Sequence, residues 1–450
     1  MQVLKFGGTS VGSAENMRKV ASIISDVNGI KIVVLSAMSG TTNSLVKISD
    51  FIKNDKRDRA FHEIDFLKLK YQAEVEELFY TEESLEKVNI LLNYYFNSLV
   101  SKVQESYSSD LEKEVLAVGE LLSTNIFQLF LEQEGFSSKL ISALSFMKID
   151  NQGKPDMEYI SKSLTKILKK NQEEIIVTQG FICVNEAGKI DNLQRGGSDY
   201  TASLIGAAIQ ADQIQIFTDI DGMHNNDPRY VEDTFSVEEI SFEEAAELAY
   251  FGAKILHPQS ILPAKEYNIP VLVKNTFDPS SKGTLIHNSK TPDNKIRAIA
   301  AKDGITAIKI KSYRMLMAYG FLKKVFEVFE QHQTSIDMIT TSEVAVSLTI
   351  DDDSRLNKIV QDLEGICNIE VENELSIICV AGDLSQNKSG ITAEIFNCLK
   401  DIPIRMISYG GSNYNLSFLV KSKHKKNALN LLNHGLFNVN KKREIQVKAI

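Results

Sequence analysis

The first ten residues already narrow the choice of fold. Val3-Leu4-Lys5-Phe6 reads as a short buried strand, and Gly7-Gly8 breaks it. Ser13 then stands at the N-cap of a helix whose apolar stripe is Met17, Val20, Ala21 and Ile24. Strand, glycine pair and helix N-terminus in that order make an anion site. Glycine lets backbone N–H groups come close to a phosphate, and the helix end adds partial positive charge. Lys5, at the strand end, has the reach to join the same anion. The lysine precedes the glycines, which excludes a Walker loop, and the third glycine of a dinucleotide fingerprint is missing. On this stretch alone, a tight strand-to-helix turn with a surface lysine is the alternative.

A chain of 450 residues exceeds one ordinary core, so two or three domains are expected. A net charge of −9 argues against nucleic acid or an anionic membrane as partner, while leaving room for a local basic pocket. Cys183, Cys367, Cys379 and Cys398 show neither metal-ligand spacing nor disulfide density, and reduced thiols in a cytoplasmic protein are expected. The chain opens on a strand, so no signal peptide is expected, and no apolar run approaches the length of a membrane span.

Beyond the first helix, Ile30 to Leu35 reads as a second buried strand. It runs into the hydroxyl-rich loop Ser36-Ala37-Met38-Ser39-Gly40-Thr41-Thr42-Asn43, placed where open α/β sheets hold ligands. Thr42 or Asn43 is expected to cap the next helix. Residues 53–114 are charged and helical, with Val88, Leu91, Leu92 and Tyr95 at helical spacing. They read as a helical insertion that partly covers the sheet and has no chemistry of its own. Glu120 is then a lone acid in an apolar helix, and such acids are rarely buried unpaired. A structural salt bridge or a ligand's ammonium group would satisfy it.

Alternation resumes with Lys139-Leu140-Ile141, a helix near 157–168, a strand at 175–178 and a hairpin turn at Asn185-Glu186-Ala187-Gly188. A second glycine pair follows, in Leu193-Gln194-Arg195-Gly196-Gly197-Ser198-Asp199. Arg195 offers a fork for a carboxylate, and Asp199 can hold a lysine or work through a metal. The strand at 213–217 ends in Thr218-Asp219, and Phe251-Gly252-Ala253-Lys254 sets another lysine after a glycine. Val271 to Lys274 reads as the last buried strand of the domain, and the polar stretch 278–293 as a hinge.

The blocks Lys5 to Ser10, Leu193 to Asp199, Thr218-Asp219 with Asp227-Pro228-Arg229, and Phe251 to Pro258 together resemble the aspartokinases, within the amino-acid kinase superfamily. They occur in the family's order and span the chain. The resemblance implies a three-layer α/β/α kinase domain over 1–292, with ATP and Mg²⁺ as phosphoryl donor and L-aspartate as acceptor. The reaction implied is phosphorylation of the β-carboxylate to 4-phospho-L-aspartate, which opens the aspartate pathway to lysine, threonine and methionine. Carried over position by position, Lys5 and Asp199 are the catalytic residues. Arg195 binds the α-carboxylate of aspartate and Glu120 its ammonium, with Ser36, Thr42 and Ser198 nearby. Lys5, Gly7, Gly8, Thr218, Asp219, His224, Arg229 and Lys254 line the nucleotide, His224 replacing the family's usual tyrosine. No protein metal ligands are implied. The chemistry agrees with the residue types. A carboxylate acceptor is ionised at neutral pH, so cations and backbone amides are needed and a general base is not.

From about Ile296 an internal repeat begins. Gly320 to Phe329, Ser335 to Thr340 and Val344 to Ile350 have counterparts in Gly390 to Leu399, Ile404 to Ser408 and Asn415 to Val420. Each unit reads as a ferredoxin-like βαββαβ sandwich and resembles the tandem ACT regulatory domains of aspartokinases, here over 293–450. Exposed sheet edges favour a homodimer, or a dimer of dimers, through this region. The resemblance further implies feedback inhibition by L-lysine, bound between ACT units of two subunits at Met315, Phe321, Leu322, Ser335, Ile336, Asp337, Ser342 and Glu343. Asp337 and Glu343 would accept from ammonium groups. A kinase acting on glutamate and a non-catalytic amino-acid sensor are the competing readings. The joint presence of Lys5, Asp199, Arg195 and Glu120 speaks against the second. The chain length leaves no room for a fused homoserine dehydrogenase, so a monofunctional enzyme is expected.

Overall fold

The computed structural model describes residues 1–193, 196–252, 256–288, 295–311, 319–365, 367–384 and 389–438. The chain forms two compact units. The first comprises Met1–Met223, Glu238–Phe242 and Leu256–Asn288, and the second His224–Val237, Glu243–Ile255 and Ser289–Ile450.

The first unit opens with β1 (Gln2–Phe6), α1 (Ala14–Asp26), β2 (Lys31–Leu35) and α2 (Thr41–Lys53). Ser13 caps α1 through its side chain, and the stripe Met17, Val20, Ala21 and Ile24 is buried. Three long helices follow, α3 (Arg57–Leu78), α4 (Glu82–Val103) and α5 (Ser109–Gln133). Next come β3 (Ser138–Leu140), α6 (Met157–Leu168), β4 (Ile175–Gln179), the hairpin strands β5 (Ile182–Val184) and β6 (Ile190–Asn192), α7 (Gly197–Ile209) and β7 (Gln213–Thr218). After β8 (Glu239–Ser241) the chain enters α8 (Phe242–Tyr250), which from Glu243 belongs to the second unit, and the first unit finishes with α9 (Leu262–Glu266), β9 (Val271–Asn275) and β10 (Thr284–His287).

Eight of these strands form one sheet in the order β3-β4-β2-β1-β7-β9-β10-β8, parallel except where β10 meets β9. β9 is therefore not the last strand. The polar stretch read as a hinge contains β10, a four-residue strand too short and mixed to show as an apolar run. β1 lies between β2 and β7, so the chain leaves it on one side and returns on the other. That is the switch point at which open α/β sheets bind ligands beyond their carboxyl ends. Alternation along β1 decides what faces what. Leu4 and Phe6 enter the core shared with α1, α2 and α5, and the Phe6 ring stacks on Phe217 at 4.6 Å. Lys5 points to the opposite face.

The insertion is helical as expected, but α3 and α4 pack chiefly on α1, α2 and α5 rather than on the sheet. Their buried stripes, including Val88 and Leu92, continue the core beneath them. α5 alters one expectation. Among the described residues it is one helix long and apolar enough to cross a membrane, yet 72% of its most apolar window is buried, as in a core helix. α2 corrects another. It starts at Thr41 with Gly40 as N-cap at φ 80, so neither Thr42 nor Asn43 caps it.

The second unit contains β11 (Ile296–Lys311), α10 (Phe321–Gln331), β12 (Ile339–Thr341), β13 (Ala345–Ile350), α11 (Leu356–Glu364), β14 (Asn368–Gly382), α12 (Ile391–Cys398), β15 (Ile404–Tyr409), β16 (Asn415–Lys421) and α13 (Ser422–Asn433). The strands form one sheet in the order β12-β13-β11-β14-β16-β15. The repeat is real, but its two copies interlock. β11 and β14 run antiparallel along their whole length, with a register shift between Lys302 and Ile305 and Gly304 at φ +75. One half of β11, Thr306–Lys311, pairs with β13 in the first repeat. The other half, around Ile299, packs into the core of the second. The second repeat thus takes its fourth strand, the last element of its βαββαβ pattern, from the residues that precede the first. Two separate cores result, one around Ile308, Val325, Leu348 and Ile359, the other around Ile299, Val380, Ile395, Phe418 and Leu429.

Candidate active site

The site lies where β1, β2, β4 and β7 of the first unit end. Lys5 leaves β1 on the α7 side, and its Nζ lies 2.7 Å from Oδ1 of Asp199, in the first turn of α7. Both side chains are nearly buried. The two atoms sit at ion-pair distance without hydrogen-bond alignment, so charge holds the ammonium and its N–H directions are not locked to Asp199. A Cβ at Gly7 would stand 3.5 Å from this ammonium, and one at Gly8 only 2.8 Å from the Ala37 carbonyl. The Gly8 carbonyl accepts from Ser39 N at 2.9 Å, and Ser36 N donates to Phe6 O at 3.2 Å, which ties the glycine turn to the loop after β2.

A cavity of about 360 Å³ opens beside this turn. The loop from Ser36 to Gly40 forms one wall, with Thr42 and Asn43 beyond it, and Gly8, Glu120, Phe181, Gly197 and Ser198 close the rest. With Gly40 as the N-cap, Thr42 and Asn43 face the cavity instead of capping the helix. The opposite wall is held by close packing. A Cβ at Gly180 would clash with Ser198 at 2.5 Å, and one at Gly197 with Phe181 at 2.6 Å. Phe181 itself adopts a left-handed backbone at φ 66, a conformation that costs a non-glycine residue energy and that the tight turn imposes.

Glu120 is 5% exposed. Its Oε1 accepts from Ala37 N at 3.1 Å, and no ion pair reaches it among the described residues. The structural salt bridge is thus not formed there. Burial pushes the Glu120 carboxyl up to about 7, against the pull of the Ala37 hydrogen bond. A buried acid with one backbone donor, on the wall of an open cavity, has capacity for a cationic ligand group.

The other expected residues fall as follows. Ser36, Thr42 and Ser198 line the cavity with Glu120. Thr218 ends β7 beside β1, and its hydroxyl donates to Asp219 at 3.1 Å. His224 and Arg229 belong to the second unit. The His224 Nδ1 lies 3.0 Å from Thr234 Oγ1, and Arg229 forks onto Asp227 through Nε and Nη2. Arg195, Lys254 and Met315 lie outside the described residues.

Of the effector positions, Phe321 is packed in the core of the first repeat, whereas Leu322, Ser335, Ser342 and Glu343 are exposed and Ile336 is half-buried. The Asp337 side chain is 1% exposed. Its Oδ1 accepts from Lys302 Nζ at 2.9 Å and from Tyr250 OH at 2.8 Å, while Oδ2 is buried without a partner among the described residues. Lys302 also pairs with Asp351 at 2.7 Å and sits 4.6 Å from the Tyr250 ring centroid. Sequence reasoning missed Tyr250, Lys302, Phe181 and the Ala37 amide. The amide has no sequence signal, and the other three act through contacts distant in the chain.

Residues 1–275 match the amino acid kinase family, and residues 378–436 match the ACT domain. The chain is 34% identical to the lysine-sensitive aspartokinase 3 of Escherichia coli, over 97% of this chain and 99% of that protein. It superposes on the crystal structure of E. coli aspartokinase III in complex with aspartate and ADP (R-state), at a TM-score of 0.82 and 34% identity, covering 97% of this chain and 100% of that one. The same enzyme in complex with lysine and aspartate (T-state) gives a TM-score of 0.81 at 35% identity, covering 97% and 99%.

Proposed function

This chain belongs to the aspartokinase family, and from that premise we propose a division of labour for the phosphorylation of L-aspartate by ATP. An oxygen of the aspartate β-carboxylate attacks the γ-phosphorus. The bond to the β,γ-bridging oxygen breaks, ADP leaves with the electron pair, and 4-phospho-L-aspartate remains. The nucleophile is already ionised, so no proton has to be removed, and catalysis rests on position and charge. Lys5, beside the Gly7-Gly8 amides, neutralises charge on the transferring group, and Asp199 keeps it there. Donors aimed at developing charge contribute about 10²–10³ each in comparable sites. The observation that carries the reading is the pairing of a buried lysine–aspartate couple with a neighbouring cavity that holds a buried acid lacking an ion-pair partner among the described residues.

Glu120 receives the aspartate ammonium, Ser36, Thr42 and Ser198 supply hydroxyls, and Arg195 takes the α-carboxylate. Thr218 and Asp219, at the end of β7, serve the nucleotide. When bound with the nucleotide, Mg²⁺ would add charge neutralisation to that of Lys5. Residues 1–292 form the catalytic region and 293–450 the regulatory region. L-lysine is the effector, bound around Asp337, and the exposed edge strand β12 suits assembly into a homodimer or a dimer of dimers. All four cysteines are free, in keeping with a cytoplasmic enzyme.

The test is ATP-dependent acyl-phosphate formation, trapped with hydroxylamine, on L-aspartate, L-glutamate and water in parallel. Hydroxamate from aspartate alone is expected. Equal product from glutamate would reassign the acceptor, and ADP release with water alone would leave the protein an ATPase.

A further inference from the structure

Three residues of α3, in the helical insertion, contact the loop after β2 and the starts of α2 and α1, and one of them, Lys70, bonds to the cavity-lining Ser39. Tyr71 belongs to that helix's buried stripe, with Ile64, Leu67, Val75 and Leu78. Its ring meets Phe96 edge-on at 5.9 Å. Phenylalanine would fill the same space, and a fully buried tyrosine needs a partner for its hydroxyl. That partner is Thr41 Oγ1, at 3.0 Å and also fully buried. Thr41 is the first residue of α2, wedged on its other side against α5. Its Cγ2 would stand 3.3 Å from a Cβ at Gly119, the neighbour of Glu120. One residue before Tyr71, the Lys70 ammonium donates to the carbonyl of Ser39. One turn later, Glu74 Oε2 accepts from Ala14 N at 2.8 Å, at the start of α1. Three side chains within five residues thus pin the loop after β2, the start of α2 and the start of α1.

We infer that the insertion is part of the substrate-binding apparatus, with Tyr71 and Lys70 as positioning residues that hold the Ser36–Thr42 wall against Glu120. The inference rests on the reading of the cavity as the aspartate pocket. The wall carries hydroxyls at Ser36 and Thr42 and the amide of Ala37, which donates to Glu120. Its backbone passes through Gly40 at φ +80, where the chain has more freedom than at any neighbouring non-glycine position. Loss of the Tyr71–Thr41 bond therefore loosens the groups that hold aspartate and leaves Lys5 and Asp199, on the other face of the sheet, as they are.

The experiment compares Tyr71→Phe, Lys70→Met, Thr41→Val and Thr41→Ser in the full-length chain. KM for aspartate, KM for ATP, kcat and thermal midpoint are measured for each. Tyr71→Phe and Thr41→Val are expected to raise the aspartate KM about fivefold to tenfold, with kcat and ATP KM within about twofold. The double variant should be no worse than either single one, because the pair acts as a unit. Thr41→Ser, which keeps the hydroxyl, should restore the aspartate KM, and Lys70→Met should raise it about threefold. A lowered midpoint with unchanged aspartate KM in all four variants overturns the inference and leaves Tyr71 as packing. Glu120→Gln serves as the control on the pocket. If it raises the aspartate KM and Tyr71→Phe does not, positioning alone is wrong. If Glu120→Gln also leaves it unchanged, the pocket reading falls and takes the inference with it.

Discussion

Two buried carboxylates, one in each unit, present opposite arrangements. Glu120 lines an open cavity and accepts one backbone N–H, with no cation beside it among the described residues. The Asp337 side chain is buried too, but its Oδ1 already serves Lys302 and Tyr250. The first acid is poised for a ligand's charge. The second is occupied by the protein, so a ligand ammonium there has to displace a partner or use Oδ2. Under the proposed roles, binding at Glu120 would be simple pairing, whereas binding at Asp337 would be exchange. Exchange also lets a site bias one arrangement of its unit over another, since an effector acts only through a difference in affinity between states.

The largest expected effect lies outside both acids and bounds the comparison. Lys5→Ala should lower kcat about 10³-fold while ATP binding, followed by calorimetry, changes little. On the proposed assignment the ammonium acts where charge develops in the transition state, not where the nucleotide is held in the ground state. Turnover within tenfold of wild type would remove Lys5 from the catalytic role and leave Asp199 a structural partner.

Glu120→Gln comes next and addresses the unoccupied acid directly. The aspartate KM should rise about 100-fold, because an amide cannot pair with the ammonium. Stability should move the other way, with a sign fixed by linkage. The native carboxyl is raised from 4.5 to about 7, so the folded protein binds the proton more tightly than the unfolded chain. Wild-type stability therefore falls as pH rises through that window, by up to about 3 kcal/mol. The variant lacks this penalty. Its thermal midpoint should match wild type near pH 4.5 and exceed it progressively toward pH 8. A variant less stable than wild type at pH 8 would mean that a cation already compensates the charge.

How much of this was legible in the sequence depended on whether a feature was local. β1, Gly7-Gly8 and the Ser13 cap were readable because an apolar run, a glycine pair and a capping serine act within a few residues. Glu120 was recognisable as an anomaly, but its donor is a backbone amide from another element. The start of α2 was misjudged because Gly40 takes a left-handed cap, which local side-chain preferences do not anticipate. β10 was hidden because a four-residue strand pairing between β8 and β9 needs no long apolar stretch. The repeat was visible as a pattern. Its interlocking was not, since the two halves of β11 differ only in which strands pair with them across the Gly304 shift. The pinning of the cavity wall by Tyr71 joins residues 30 apart, in helices with no shared motif.

Asp337→Ala tests the occupied acid. Inhibition by lysine should weaken more than tenfold, with threonine titrated separately as the alternative effector. Unchanged lysine inhibition, or inhibition by threonine alone, would take Asp337 out of the effector site without touching the kinase assignment.

The smallest effect sharpens the comparison most, because it asks whether exchange occurs at all. The Tyr250 hydroxyl donates to Asp337 Oδ1 at 2.8 Å, and its acidity is depressed first by burial and then by that hydrogen bond. Tyr250→Phe removes one donor and keeps the ring beneath Lys302. Asp337 then retains Lys302 and loses part of what an incoming ammonium must outcompete. The lysine concentration for half-inhibition should fall about threefold, read against the variant's own uninhibited rate. The change is modest because Lys302 remains, and a donor on a half-exposed tyrosine is readily replaced by water. A rise in that concentration would mean that Tyr250 holds Asp337 in its binding orientation instead of competing for it. The difference between the two acids would then lie in preorganisation, not in occupancy.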